Sequence, residues 1–142
     1  DRLRVGLLGS DGVIFRPVNG ESTGAASRLL ATVTDVEPSG RSFLEDCLAD
    51  PDALGTARTV VAGLGLLHSR DAAALVAATT RVADIDALVP DARAFRLPVE
   101  MVVAHEEACR LLTTSGWNVV TFGPDISVTQ AWSRLVAQRE AR

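Results

Sequence analysis

Residues 59–67 read TVVAGLGLL, and this run decides the predicted fold. Nearly every position is apolar, which is typical of a strand that is buried on both faces of a parallel sheet. An Ala-rich segment over residues 70–83 follows it, and Ser69 is a suitable N-cap residue for a helix there. A buried strand followed directly by a helix predicts a βα unit, in which residues 59–67 are a central parallel strand.

The alternation of strands and helices continues on both sides of this unit. Downstream, strands are predicted over 85–89 and 118–122 and helices over 101–114 and from 128 onwards, with 94–97 as a competing choice for the first of these strands. Upstream, residues 3–8 and 13–18 predict a hairpin, before a helix over 22–36 and another that begins with a capping box at Ser42. The order predicts a three-layer α/β fold, with helices on both faces of a mostly parallel sheet.

Size and composition predict one globular domain that acts on neither nucleic acid nor membranes. The chain has 142 residues, of which 47% are hydrophobic and 23% charged, and its net charge of −4 disfavours binding to nucleic acid or to an anionic membrane. No run approaches the roughly 18 apolar residues of a membrane-spanning helix, so direct membrane insertion by this segment is not expected. Cys47 and Cys109 are too few for a disulfide scaffold, which predicts a reducing, cytoplasmic location.

The segment GPDISVTQAW, residues 123–132, admits a metal-binding and a structural interpretation. Asp125, Ser127 and Thr129 give the spacing D-x-S-x-T, close to the D-x-S-x-S loop with which von Willebrand A domains bind a divalent cation through oxygen ligands. However, Ser127 and Gln130 also form an S-x-x-Q capping box. Because the capping box explains the segment, a helix start is the preferred prediction and no metal ligand is assigned.

The stretch HEEAC, residues 105–109, resembles the H-E-x-x-H zinc motif with Cys in place of the second His. His105 and Cys109 lie four positions apart on a predicted helix, so both could bind one zinc ion, with His68 as the third ligand. A metal-dependent hydrolase that uses these three residues is therefore an alternative function.

The structural interpretation of the same helix gives it an apolar core face. On a helical wheel this face is formed by Ala104, Ala108, Leu111 and Leu112. His105 and Cys109 are then expected on its flank, and Glu106 and Arg110 as an exposed i,i+4 ion pair.

Two further binding or catalytic patterns are incomplete. Gly63-Leu64-Gly65 lacks the third glycine of a dinucleotide-binding loop, so a Rossmann-like small-molecule binding module is a second alternative only. No G-x-S-x-G segment is present, and Ser42, His68 and Asp91 could form a hydrolase triad only if loops brought them together. No catalytic or cofactor-binding residue is assigned.

Several segments together resemble one bacterial family. They are LRVGLLGSDG at residues 3–12, SRLLATVTDVEPSGRSFLEDCLA at 27–49, TVVAGLGLL at 59–67 and RLLTTSGWNVVTFGPDISVTQAW at 110–132. These segments resemble the C-terminal part of the domain-of-unknown-function 58 proteins, which carry a von Willebrand A-like domain and are typically encoded beside a MoxR-type AAA+ ATPase. The resemblance implies a von Willebrand A-like sheet and a protein partner of that ATPase class.

The resemblance also implies that part of the fold is missing. The family's first strand and helix, which carry the D-x-S-x-S loop, would precede Asp1, so the chain is expected to be an excised or truncated fragment. Ser42 stands where the family pattern has a Thr ligand, and no Asp directly follows residues 59–67. A divalent cation is therefore expected only if the missing N-terminal segment supplies its own D-x-S-x-S loop.

These observations predict a non-enzymatic protein–protein interaction domain, which acts as adaptor or client of a MoxR-type AAA+ ATPase. Ligands of open parallel α/β sheets bind beyond the carboxyl ends of the strands. The predicted interaction surface consists of the loop residues expected near that edge, which are Asp11, Ser42, His68, Asp91 and Asp125. The expected location is cytoplasmic, with membrane anchoring of a longer parent protein left open.

Overall fold

The computed structural model describes residues 57–142 without a break and, before them, residues 7–9, 12–15, 31, 44, 48, 49 and 54. The chain divides into two compact units, Asp1–Gly55 and Thr56–Arg142. The predicted helices over 22–36 and from Ser42 lie outside the described residues, apart from the helical positions Ala31, Leu44 and Leu48. The single domain expected from the length of the chain stays a prediction.

The described part of the first unit contains the predicted hairpin. Strand β1 (Leu7–Gly9) pairs antiparallel with β2 (Gly12–Phe15), and Gly9 lies opposite Gly12. Both strands are shorter than the apolar runs that predicted them. The turn itself, which includes Asp11, lies outside the described residues.

The second unit alternates strands and helices. Its elements are β3 (Thr59–Gly63), α1 (Ser69–Ala78), β4 (Asp84–Pro90), α2 (Val99–Thr114), β5 (Asn118–Phe122) and α3 (Val128–Glu140). The strands form a parallel sheet in the order β3-β4-β5. The predicted α/β fold is therefore confirmed, and β5 has the predicted bounds. Within the described ranges, no helix is long and apolar enough to cross a membrane.

The middle strand of this sheet is β4, so the prediction that residues 59–67 are the central strand is wrong for the strands that the structure describes. β4 is buried from Asp86 to Pro90, whereas β3 ends at Gly63 and leaves Val61 42% exposed. Leu67 is buried, although it belongs to the loop that leads into α1. The apolar run thus combines a short strand with a loop that packs on the core, which periodicity alone does not separate.

Helices lie on both faces of the sheet. On one face, Leu88 and Val120 form a core cluster with Ala131 and Leu135 of α3. Because side chains alternate along a strand, Ala87 and Val89 point to the opposite face, where α1 and α2 pack against each other. The result is the predicted three-layer arrangement, with α3 alone on its face among the described helices.

Gly116 ends α2 at the predicted position. Its φ of 94° lies in the left-handed region, where a residue without Cβ is favoured. The N–H of Gly116 donates to Thr113 O at 3.1 Å, and the N–H of Trp117 donates to Leu112 O at 3.0 Å. These are the two bonds of a Schellman motif, and they satisfy carbonyl groups that the last turn would otherwise leave without partners.

Candidate functional site

Three loops follow the carboxyl ends of the parallel strands, and each carries one residue of the predicted interaction surface. His68 is the N-cap residue of α1, Asp91 directly follows β4, and Asp125 lies in the turn between β5 and α3. The other two predicted residues, Asp11 and Ser42, lie outside the described residues.

The structure brings Asp91 and Asp125 together at one shallow pocket of about 80 Å³. The pocket lies between the β4–α2 loop and the β5–α3 turn, and we call it the edge pocket. Its remaining lining residues are Ala94, Thr121, Phe122, Gly123, Pro124 and Ile126. His68 does not line it. Two carboxylates therefore border a pocket whose other walls are mostly apolar.

Backbone hydrogen bonds hold both walls of the edge pocket. The N–H of Asp91 donates to Phe122 O at 2.8 Å, which joins the β4–α2 loop to the last residue of β5. Gly123 and Ile126 exchange two backbone bonds of 2.8 and 3.2 Å, so Pro124 and Asp125 form the tip of a tight turn. The carboxylate of Asp91 accepts from the N–H of Arg93 at 3.1 Å. The positions of both acidic residues are thus set by the main chain.

Arg93 connects the β4–α2 loop to α2. Its guanidinium donates through Nε to Glu106 Oε1 and through Nη2 to Glu106 Oε2, the latter at 2.9 Å. These bonds lower the pKa of the Glu106 carboxyl, and the same pairing raises the pKa of Arg93. The predicted pair of Glu106 with Arg110 is wrong, because Arg110 lies 4.0 Å from Glu107 instead. A helical wheel shows only neighbours within α2, so it cannot show that Arg93, in the loop before the helix, binds the Glu106 carboxylate.

His105 is buried in the core, so its predicted position on the flank of α2 is wrong. It is 2% exposed, and with Ala108 and Leu112 it forms the buried face of the helix, while Leu111 is 37% exposed. Its Nδ1 accepts from the N–H of Leu67 at 3.0 Å. Nε2 must then carry the proton. Both ring nitrogens are thereby used within the protein.

The other ring nitrogen of His105 forms a hydrogen bond with the end of β4. The Nε2 of His105 lies 2.8 Å from Pro90 O, to which it donates. Cys109 Sγ lies 3.5 Å from the same nitrogen. His105 therefore positions both the loop after β3 and Pro90, the residue directly before Asp91.

The zinc alternative gains no support from the part of the chain that the structure describes. In that part, no group of three or more His, Cys, Asp and Glu side chains is arranged to hold a metal ion, so His68, His105 and Cys109 do not form one site. Burial raises the pKa of the Cys109 thiol, with a further contribution from the charge of Glu106. A raised pKa disfavours the thiolate, which is the form that binds metal.

The segment around Asp125 is the start of a helix. Ser127 Oγ accepts from the N–H of Gln130 at 3.2 Å, and Gln130 Oε1 accepts from the N–H of Ser127 at 2.9 Å. The predicted capping box is therefore confirmed. Ile126, just before it, packs against the core cluster that contains Ala131. Ser127 thus serves α3 and not a cation loop.

The loop after β3 also begins a helix. The N–H of His68 donates to Asp71 Oδ2 at 3.0 Å, and His68 is the N-cap, one residue before the predicted N-cap, Ser69. Asp71 places a carboxylate in the first turn of α1. A negative charge at this helix N-terminus disfavours phosphate, which dinucleotide-binding loops hold at the same place.

A second polar cluster, at the amino ends of the strands, was missed by sequence reasoning. Asp86 is 2% exposed; its Oδ1 accepts from Asn118 Nδ2 at 3.0 Å and its Oδ2 lies 3.5 Å from Arg139 Nη1. Arg139 Nη2 also donates to Thr59 Oγ1 at 3.1 Å and lies 3.6 Å from Asp84 Oδ2. One guanidinium thus anchors the last turn of α3 to two strands. The available signal was an Asp within an otherwise apolar strand.

The fold and the edge pocket define an α/β domain that presents two carboxylates beside an apolar pocket, at the carboxyl edge of a parallel sheet. Comparisons of the chain with protein-family models, with curated proteins and with solved structures give no match. The geometry of the site is therefore the basis for a functional proposal.

Proposed function

We propose that this chain is a non-enzymatic protein-interaction domain that binds its partner at the edge pocket. The observation that carries the proposal is the convergence of Asp91 and Asp125 on one pocket, on loops held by backbone hydrogen bonds. Open parallel sheets bind their ligands at this edge, because the loops that follow the strands converge there. Rigid loops also favour binding, since less conformational entropy is lost when a partner docks.

The size of the edge pocket favours a protein partner over a small molecule. Its volume of about 80 Å³ is well below the roughly 300–1,000 Å³ that pockets for drug-sized ligands occupy. A pocket of this size suits one side chain of a docked protein. This comparison weighs against the Rossmann-like small-molecule alternative at this site.

The proposal includes the family and the partner. We propose a von Willebrand A-like domain related to the domain-of-unknown-function 58 proteins, which acts in the cytoplasm as adaptor or client of a MoxR-type AAA+ ATPase. The support is the resemblance of the four segments and the parallel βα order of residues 59–140. This part of the proposal rests on resemblance and not on a site.

The test is a binding measurement with two size-matched substitutions. Purified MoxR-type ATPase from the source organism is immobilised, and binding of the full 142-residue chain is measured by biolayer interferometry. Ala94→Trp blocks the edge pocket from an exposed position, whereas Ala73→Trp adds the same side chain to an exposed position on α1. We expect saturable binding that Ala94→Trp weakens by about tenfold or more, as for a residue in the centre of an interface, and that Ala73→Trp leaves unchanged.

Two outcomes would contradict the proposal. If no saturable binding of the ATPase is found, the partner is wrong. If binding is found but both Trp variants bind like the parent chain, the edge pocket is not the docking surface.

A further inference from the structure

We infer that the edge pocket receives an arginine or lysine side chain of the partner protein, a chemistry that rests on the proposed protein-binding function. Three features of the pocket favour a basic side chain: the two carboxylates at its rim, its apolar walls and the pairing of the nearby Arg93 with Glu106.

The rim carries two carboxylates that form no ion pair with a described side chain, although the charge of Arg93 acts on Asp91 from a distance. The Asp125 carboxylate makes no hydrogen bond or ion pair with any residue that the structure describes. The Asp91 carboxylate accepts one bond there, from the backbone N–H of Arg93. The guanidinium of Arg93 is bound through two donors to Glu106. Two exposed carboxylates therefore line the pocket, and the donors of the neighbouring guanidinium are directed to Glu106.

The walls suit the stem of a long basic side chain. Phe122, Pro124 and Ile126 line the pocket with apolar surface, and Gly123 leaves one side without a side chain. Lys and Arg bury their methylene stems against apolar surface while the charged head stays in water. A guanidinium or ammonium at the mouth of the pocket would be attracted by both carboxylates, and a carboxylate could accept its N–H groups. An acidic side chain would be repelled by both carboxylates, and a neutral donor could bond to one of them but would leave their negative charge uncompensated.

The test compares arginine with its uncharged isostere. The full chain, labelled with ¹⁵N, is titrated with the peptide acetyl-Ala-Ala-Arg-Ala-Ala-amide and with the same peptide containing citrulline, and amide shifts are followed by NMR. We expect saturable shifts at Asp91, Gly123 and Asp125 with the arginine peptide, and binding weaker by about tenfold with citrulline, because its head group lacks the charge that the two carboxylates attract.

Two double variants distinguish an effect of the rim carboxylates from an effect of the net charge of the chain. Asp91→Asn with Asp125→Asn removes both rim carboxylates but keeps their shape and the acceptor for Arg93. Glu107→Gln with Glu140→Gln removes two exposed carboxylates elsewhere and changes net charge equally. We expect the first variant to lose the preference for arginine and the second to keep it.

Gly123→Val tests the apolar walls of the pocket. A Cβ at this position has room, since the nearest atoms are 3.6 Å and 3.8 Å away. The methyl groups of the valine should weaken binding of the arginine peptide.

The outcomes distinguish this inference from the proposed function. Equal binding of the two peptides, shifts spread evenly over all acidic residues, or no saturation up to the solubility limit would overturn the inference. If that occurs while Ala94→Trp still disrupts ATPase binding, the docking function stands and only the basic ligand is wrong. If arginine preference is found without ATPase binding, the pocket chemistry stands and the partner is wrong.

Discussion

The Nε2 of His105, in the middle of α2, lies 2.8 Å from the carbonyl oxygen of Pro90, the last residue of β4. Through its other nitrogen, the same ring holds the N–H of Leu67 in the loop after β3. One buried imidazole thus joins the end of β4 and the loop after β3 to α2, and Asp91 directly follows Pro90, whose carbonyl group it holds.

His105→Ala should lower the free energy of unfolding by about 2–4 kcal/mol, because it leaves a buried N–H and a buried C=O without partners, at roughly 1–3 kcal/mol each. Both Trp residues, Trp117 and Trp132, lie in the second unit, so urea unfolding followed by Trp fluorescence reports on that unit. The control is Arg134→Ala, at an exposed position of α3, which should change stability by less than about 0.5 kcal/mol. Equal effects of the two substitutions would contradict the assigned role of His105.

Arg139→Ala should lower stability by about 2 kcal/mol, because it leaves the buried carboxylate of Asp86 without its cation. This value is below that of a fully buried pair, since the Arg139 side chain is 37% exposed. Arg139→Lys should recover only part of the loss, because one ammonium cannot reproduce a fork that reaches Thr59, Asp84 and Asp86. Arg134→Ala, at an exposed position of the same helix, is the control and should have little effect. The measurement is again urea unfolding.

Gly116→Ala should destabilise the protein by about 1–2 kcal/mol, because an L-residue with a Cβ is strained in the left-handed conformation. No atom lies within 4 Å of the added Cβ, so the loss would come from the backbone and not from a clash. Gly65→Ala also has open space but no left-handed φ, and it should leave the melting temperature unchanged or slightly higher. A melting temperature for Gly116→Ala equal to that of Gly65→Ala would show that the left-handed conformation is not maintained.

Cys109 should react slowly with iodoacetamide at neutral pH, because the thiolate is the reactive form and burial raises the pKa of this thiol. The rate should continue to rise at pH values above the usual thiol pKa of about 8.5. The raised pKa also means that the neutral thiol is favoured by folding. Its contribution to stability is therefore present below the pKa of the unfolded thiol and is lost as pH rises through the folded value.

This experiment requires Cys47→Ser, so that Cys109 is the remaining thiol. Glu106→Gln should shift the rate profile of Cys109 towards lower pH, because the charge of Glu106 contributes to the raised pKa. Glu107→Gln, one position along the helix, is the comparison. A profile for the parent thiol that matches a free thiol would contradict the buried environment assigned to Cys109.

The elements of the second unit were predictable where local chemistry and periodicity agree. The capping box of Ser127 and Gln130, the helix stop at Gly116 and the strand Asn118–Phe122 depend on residues within a few positions of each other. Of the candidate site, Asp91 and Asp125 were expected at the carboxyl edge, because parallel strands bring the loops that follow them to one side of the sheet.

The errors arose where distant residues compete for the same side chain. Glu106 pairs with Arg93 across a loop, not with Arg110 one helical turn away. His105 has a polar ring, so it was placed at the border of the core, but two backbone groups from other elements satisfy both its nitrogens and allow full burial. The partners of Glu106 and His105 lie outside α2, so they cannot be identified by counting positions along that helix.

For residues 59–140 the sequence by itself determined the order of strands and helices, the capping box at Ser127 and the helix stop at Gly116, because these depend on short-range sterics and hydrogen bonds. Only the tertiary structure decided that β4 is the middle strand of the described sheet, that Asp91 and Asp125 share one pocket, and that His105 and Arg139 hold elements together. These features require groups far apart in the chain to meet, and that meeting depends on how the whole sheet packs against its helices.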